Sequence, residues 1–172
     1  LSMSQAAALT TAQRAVLSAD QQEALITLTS PLVLDLGEKG IDITTIADGV
    51  RFYIDGDGQA DATAWLQAQD GLLAIDLNGD GRINDGRELF GTATQMPDGA
   101  TAADGFAALG RYDENRDGLV SGADADFARL SVWIDQNHDG QSAPGELFSL
   151  EALGVESISL SAEPTHLVQH ES

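Results

Sequence analysis

The chemically suggestive residues in this chain are oxygen donors set at alternate positions. In the stretch DENRDGLVSGAD, residues 113–124, Asp113, Asn115 and Asp117 lead into Gly118, and the stretch closes on Asp124. Carboxylates gathered this closely repel one another unless a positive charge sits among them. Their spacing therefore points to a bound cation with hard oxygen ligands. A twelve-residue calcium loop draws oxygens from positions 1, 3, 5, 7, 9 and 12, with glycine at 6 for the bend and a backbone carbonyl at 7. On that rule the carbonyl of Leu119, the hydroxyl of Ser121 and the carboxylate of Asp124 complete the set.

The same arrangement recurs. DQNHDGQSAPGE, residues 135–146, offers Asp135, Asn137, Asp139, the carbonyl of Gln141 and Glu146, with Ala143 at position 9 leaving that place to water. DLNGDGRINDGRE, residues 76–88, offers Asp76, Asn78, Asp80, the carbonyl of Arg82 and Asn84. Its twelfth residue is Arg87, and Glu88 comes one place late, so a slightly longer loop has to carry Glu88 to the ion. Two eroded copies complete the series. YIDGDGQAD keeps Asp55, Asp57 and Asp61 but begins with Tyr53, so weaker binding or none is expected there. DLGEKGID begins at Asp35 and has Gly37 and Lys39 where ligands belong, which predicts the Lys39 ammonium in place of an ion. A single such stretch is often a metal-free Asx-rich turn. Two complete loops and a near match in one chain argue for about three ions, and flexible oxygen coordination suits calcium better than magnesium.

Charge distribution agrees. The chain of 172 residues has a net charge of −20, and half of its 28 acidic residues fall in 55–61, 76–88, 113–124 and 135–146. Such an excess excludes nucleic acid and anionic membrane as natural partners, since neither supplies counter-charge. The absence of cysteine excludes disulfides and thiolate metal sites. No apolar run is long enough to span a bilayer, and the first residues do not form a signal peptide.

The elements that must position these loops are short. Residues 3–29 predict an N-terminal helical pair, with a capping box from Ser18 to Gln21 and a stop at Pro31. Beyond it, PLVLDL, RFYI, GLLAIDL, SVWID and SISL read as strands between Gly/Asp-rich turns. Brief helices are expected at 86–91, 102–111, 122–130 and 145–153. The predicted fold class is a single α+β domain of EF-hand-like calcium loops, short helices and short strands. It divides into a helical segment at 1–29, a calcium-binding module at 30–160 and a flexible tail at 161–172. Trp65, Trp133, Phe52 and Phe90, with Phe106, Phe127 and Phe148, are the expected large core residues.

The order PLVLDL, DGDG before Trp65, DGLLAIDLNGDGRINDGRELFG, GFAALGRYDENRDG and FARLSVWIDQNHDGQSAPGELFSLEALGVESISL resembles the calcium-binding self-processing module of RTX proteins secreted by Gram-negative bacteria. The likeness covers about residues 30–160. It implies folding on calcium and a place beside neighbouring domains of a larger secreted or cell-surface protein. Active members cleave an Asp-Pro bond, the aspartate carboxylate attacking its own carbonyl, and ligate the product to a lysine amine. Here the dipeptide is Ser30-Pro31, and serine has no carboxylate to close that ring. The resemblance therefore implies a structural, non-processing relative rather than an enzyme.

Other chemistries are weaker. Acids that converge on cations do not make the separated acid–base pair of a glycosidase. His166 and His170, with Glu163 nearby, have zinc-like spacing but read as a solvated tail, and His138 reads as solvent-facing. A calcium-dependent recognition module for a protein partner is the second reading, although two methionines are few for a sensor groove.

Overall fold

A computed structural model describes residues 31–37, 40–67 and 69–161. Its framework is a four-stranded antiparallel sheet in the order β1-β4-β6-β7. The strands are Val33–Leu34 (β1), Gly71–Ile75 (β4), Leu130–Trp133 (β6) and Leu147–Ser149 (β7). Two ribbons flank the sheet: Val50–Phe52 with Asp61–Thr63 (β2 and β3), and Leu119–Ser121 with Ser157–Ser159 (β5 and β8). Among the described residues there is one α-helix, Gly105–Leu109 (α1), and the other helical pieces are single 3-10 turns.

The run GLLAI becomes the central strand because it is apolar throughout and buried along its whole length. Alternation across β4 sends its side chains into two different cores. Leu73 and Ile75 pack with Leu34, Phe90, Val132 and Tyr112, whereas Leu72 and Ala74 face Phe52, Trp65, Trp133 and Ile83. In the second core the rings of Phe52, Trp65 and Trp133 stand 5.3–5.4 Å apart in tilted and edge-on contacts. Such pairs add about 0.5–1.5 kcal/mol each beyond simple burial. Phe106, Phe127 and Phe148 are only partly buried.

The EF-hand-like α+β expectation does not hold. The described residues form mainly short antiparallel strands, and the expected helices shrink to 3-10 turns at Gly86–Glu88, Phe127–Arg129 and Glu151–Leu153 and to α1 with its trailing turn. Two causes account for this. Loops 76–88 and 135–146 each leave directly from a strand whose apolar run is paired in the sheet, so no entering helix forms. Residues 125–134 have room for one 3-10 turn and one strand but not for an exiting and an entering helix. Within 145–153, Leu147–Ser149 pairs with β6 instead of coiling. The proposed N-terminal helices and the tail beyond residue 161 lie outside the described residues.

Gly86 locks two loops together. Its N–H donates to the Tyr53 carbonyl at 2.9 Å, and a Cβ there would fall 1.8 Å from the Ile54 carbonyl oxygen. Gly86→Ala is therefore expected to destabilise the protein by about 1–3 kcal/mol, the usual cost of overpacking. A thermal melt in saturating calcium that leaves the midpoint unchanged would contradict this contact.

Candidate metal-binding loops

Three loops carry one hydrogen-bond scheme. The first aspartate accepts the N–H of the bend glycine: Gly81 to Asp76 at 2.7 Å, Gly118 to Asp113 at 3.0 Å and Gly140 to Asp135 at 2.9 Å. The asparagine two places on accepts the N–H of the next acid, from Asp80 to Asn78, Asp117 to Asn115 and Asp139 to Asn137, at 2.8–3.0 Å. That acid then accepts from the residue after the glycine: Arg82 to Asp80, Leu119 to Asp117 and Gln141 to Asp139, at 2.8–2.9 Å. Glycine is required at the bend because φ there is positive, 78° at Gly81, 85° at Gly118 and 68° at Gly140.

The closing acid spans each loop. Asp124 accepts the N–H groups of Glu114 and Ser121, both at 2.9 Å, and Glu146 accepts those of Gln136 at 3.2 Å and Ala143 at 3.0 Å. Glu88 takes the equivalent pair, Leu77 at 3.1 Å and Asn84 at 2.7 Å. The one-residue delay in the sequence is thus absorbed, and Glu88 rather than Arg87 closes the loop. Arg87 turns away to pair with Asp85. All three closing acids are buried, with exposures of 4%, 4% and 7% for Glu88, Asp124 and Glu146.

This donor chemistry fits calcium. A carboxylate has about four lone-pair sites, so two N–H bonds at Glu88 and Glu146, and three at Asp124 where Asn115 also donates, leave each closing acid with acceptor capacity for an ion. Among the described residues no Lys, Arg or His forms an ion pair with Asp76, Glu88, Asp113, Asp124, Asp135 or Glu146. The position-7 carbonyl of Leu119 also suits the role. Gly118's carbonyl accepts from Leu160, so strand alternation turns that of Leu119 to the opposite edge, where its own N–H already meets Asp117. Asn84 differs from the expectation in one respect, since its amide Nδ2 donates to Asp80 at 2.8 Å.

The eroded copy at 53–61 is better formed than its sequence suggests. Asp57 donates its N–H to Asp55, and Gln59 donates to Asp57, repeating the two middle bonds of the other loops. The Tyr53 carbonyl accepts from Gly56 at 3.1 Å, where Asp76 uses its side chain to accept from Gly79. Carboxylate oxygens of Asp55, Asp57 and Asp61 all lie within 4.8 Å of one another, a spacing that a single metal ion spans. At Asp35 the first bond is also kept, from Gly40 N–H at 2.9 Å, while Lys39 lies outside the described residues.

Two connections had no sequence signal. The Trp65 indole N–H donates to Asp135 at 2.7 Å, tying the aromatic core to loop 135–146. The Ser142 hydroxyl accepts the Ile83 N–H at 2.7 Å, joining loops 135–146 and 76–88. His138 is only part-exposed, and its Nε2 is enclosed without a described partner, so it is not the solvent-facing residue expected.

At Asp76 and Asp124 the same N–H groups lower the carboxyl pKa. At Asp76 burial pushes the carboxyl up, but the N–H groups of Gly81, Gly79, Asp80 and Asn78 outweigh it and hold the group below its ordinary 3.8. At Asp124 the Ser121 N–H leads, with Glu114 and Asn115 adding to it, and the result is again a depressed value. A depressed folded pKa confers stability that is full above the ordinary value and is lost as pH falls through the folded one. An acid titration in saturating calcium, followed by circular dichroism, should therefore keep the native signal down to about pH 4 and lose it below. Loss well above about pH 5 would contradict this assignment.

Residues 32–172 match the SPM domain family. The chain belongs to that family. This SPM domain is 46% identical over 132 residues to iron-regulated protein FrpA of Neisseria meningitidis serogroup C. The match covers 76% of the SPM chain and 12% of FrpA, so the chain spans about an eighth of that relative's length. No helix among the described residues of the SPM domain is long and apolar enough to cross a membrane.

Proposed function

We propose that this SPM domain is a calcium-binding structural module of a larger secreted RTX-type protein, holding about three ions and folding on them. The single observation that carries the reading is the hydrogen-bond scheme shared by 76–88, 113–124 and 135–146, each loop closed by a buried acid. The ligands are Asp76, Asn78, Asp80, the Arg82 carbonyl, Asn84 and Glu88 in one loop. Asp113, Asn115, Asp117, the Leu119 carbonyl, Ser121 and Asp124 serve the next. Asp135, Asn137, Asp139, the Gln141 carbonyl and Glu146 serve the third. The cluster of Asp55, Asp57 and Asp61 is a weaker fourth place.

Isothermal titration with calcium tests this. The expected stoichiometry is about three, falling by one in Asp113→Ala; a stoichiometry near zero would reject the reading. Self-processing is not expected with Ser30 before Pro31, and mass analysis after calcium addition should find the chain intact. Secretion fits the FrpA likeness, and extracellular calcium is abundant enough for modules of millimolar-range affinity.

A further inference from the structure

Position 8 of a cation loop is where paired loops can meet, and the loops differ there. In loop 113–124 it is Val120, which pairs with Ile158 of β8. In loop 76–88 it is Ile83 and in loop 135–146 it is Ser142, both buried, with exposures of 2% and 3%. The Ile83 N–H donates to Ser142 Oγ at 2.7 Å, and the same hydroxyl donates to the Ile83 carbonyl at 3.3 Å. One hydroxyl therefore satisfies both backbone polar groups of the opposing loop in a dry setting.

The next residue along each loop extends the connection. Asn84, after Ile83, donates its N–H to Glu88, and Ala143, after Ser142, donates to Glu146. The hydroxyl thus stands one residue from the N–H that fixes each closing acid. Anything that draws Glu146 onto an ion orders Ala143 and Ser142, and through them Ile83, Asn84 and Glu88.

We propose that Ser142 is a positioning residue that couples cation binding in loops 76–88 and 135–146, so that these two fill together while loop 113–124 stands outside the link. The inference rests on the calcium reading above and deepens it. Coupling between sites is reciprocal and commonly amounts to about 5–150-fold in affinity. Removing the hydroxyl leaves two backbone groups of Ile83 without partners, which places the effect near tenfold.

The test is a calcium titration of the full chain followed by the amide resonances of Gly81, Gly118 and Gly140, each bonded to the first aspartate of its loop. In the parent protein Gly81 and Gly140 should share one midpoint distinct from that of Gly118; one midpoint for all three would reflect calcium-coupled folding alone and overturn the proposal. In Ser142→Ala they should separate by roughly tenfold, and Ser142→Thr, which keeps the hydroxyl, should hold them together. If Ser142→Ala moves all three glycines equally, or none, the residue is merely structural or idle and the proposal is overturned. If Ser142→Ala does not fold even in excess calcium, Asp76→Ala takes its place. It should displace the Gly140 midpoint at least roughly fivefold more than Asp113→Ala does, and equal displacements overturn the proposal. A parent protein whose glycines ignore calcium would reject the calcium reading itself and this inference with it.

Discussion

Asp135→Ala is expected to lower the melting temperature in saturating calcium by about 10–25 °C and to remove one ion from the stoichiometry. Two losses combine. An ion present at about a thousand times its dissociation constant stabilises the folded state by about 4 kcal/mol, and that contribution disappears with its first ligand. The second loss is peculiar to this loop. Trp65 donates its indole N–H to Asp135, and alanine would strand that donor in the aromatic core at a further cost of about 1–3 kcal/mol. Small domains hold only about 5–15 kcal/mol in all, so the variant stands near the edge of folding. Asp113 accepts no indole, so Asp113→Ala should lose the ion term alone and melt higher than Asp135→Ala. The comparison also has an optical readout, because Trp65 emission should follow calcium at loop 135–146. Unchanged melting of Asp135→Ala at limiting calcium would show that this loop holds no ion.

Glu88→Gln is the second large effect. The substitution keeps the shape of the side chain but removes the charge from a buried residue that accepts from both Leu77 and Asn84. Bonds to a charged group are stronger than neutral ones by an amount that converts to about a tenfold to hundredfold loss of calcium affinity at loop 76–88. Arg87→Gln is the control, since Arg87 pairs at the surface with Asp85 and such pairs contribute about 0–1 kcal/mol. Calcium titration read at the Gly81 amide should weaken only in Glu88→Gln. Equal weakening in both variants, or in Arg87→Gln alone, would mean that the loop closes at its twelfth residue after all.

These contrasts mark what local sequence encodes. The middle of each loop is legible because its bonds run between neighbours two to five places apart, and the bend glycines announce positive φ directly. The strand segments around Leu72, Val132 and Ile158 are legible as apolar runs between turns. Helix content is legible only in part: GFAAL coils as its spacing suggests, whereas pairing and short connections reduce the other expected helices to 3-10 turns. Residues 147–149 show this best, since β6 draws Phe148 opposite Val132 instead of leaving it on a helix. At the Asp55 loop the local bonding is not legible for a related reason: a backbone carbonyl of Tyr53 takes an N–H that a side chain takes at Asp76, and carbonyls have no sequence identity. Contacts from Trp65 to Asp135 and from Ser142 to Ile83 join residues 70 and 59 places apart, a distance over which spacing rules are silent.

Loops 76–88 and 135–146 follow directly on strands of the four-stranded sheet, so their charge bears on the whole fold. Like charges a few ångströms apart repel by on the order of several kcal/mol at an effective dielectric near 20, and several such pairs exceed the stability of a domain this size. The proposed function therefore requires cations to hold the sheet and its two cores together as much as apolar contacts do. Circular dichroism and thermal melting of the full chain in excess EGTA, then after calcium is restored, measure this most directly. The account predicts that the chelated protein loses its cooperative transition and regains it with calcium. A chelated protein that keeps a sharp melt at the same temperature would contradict it.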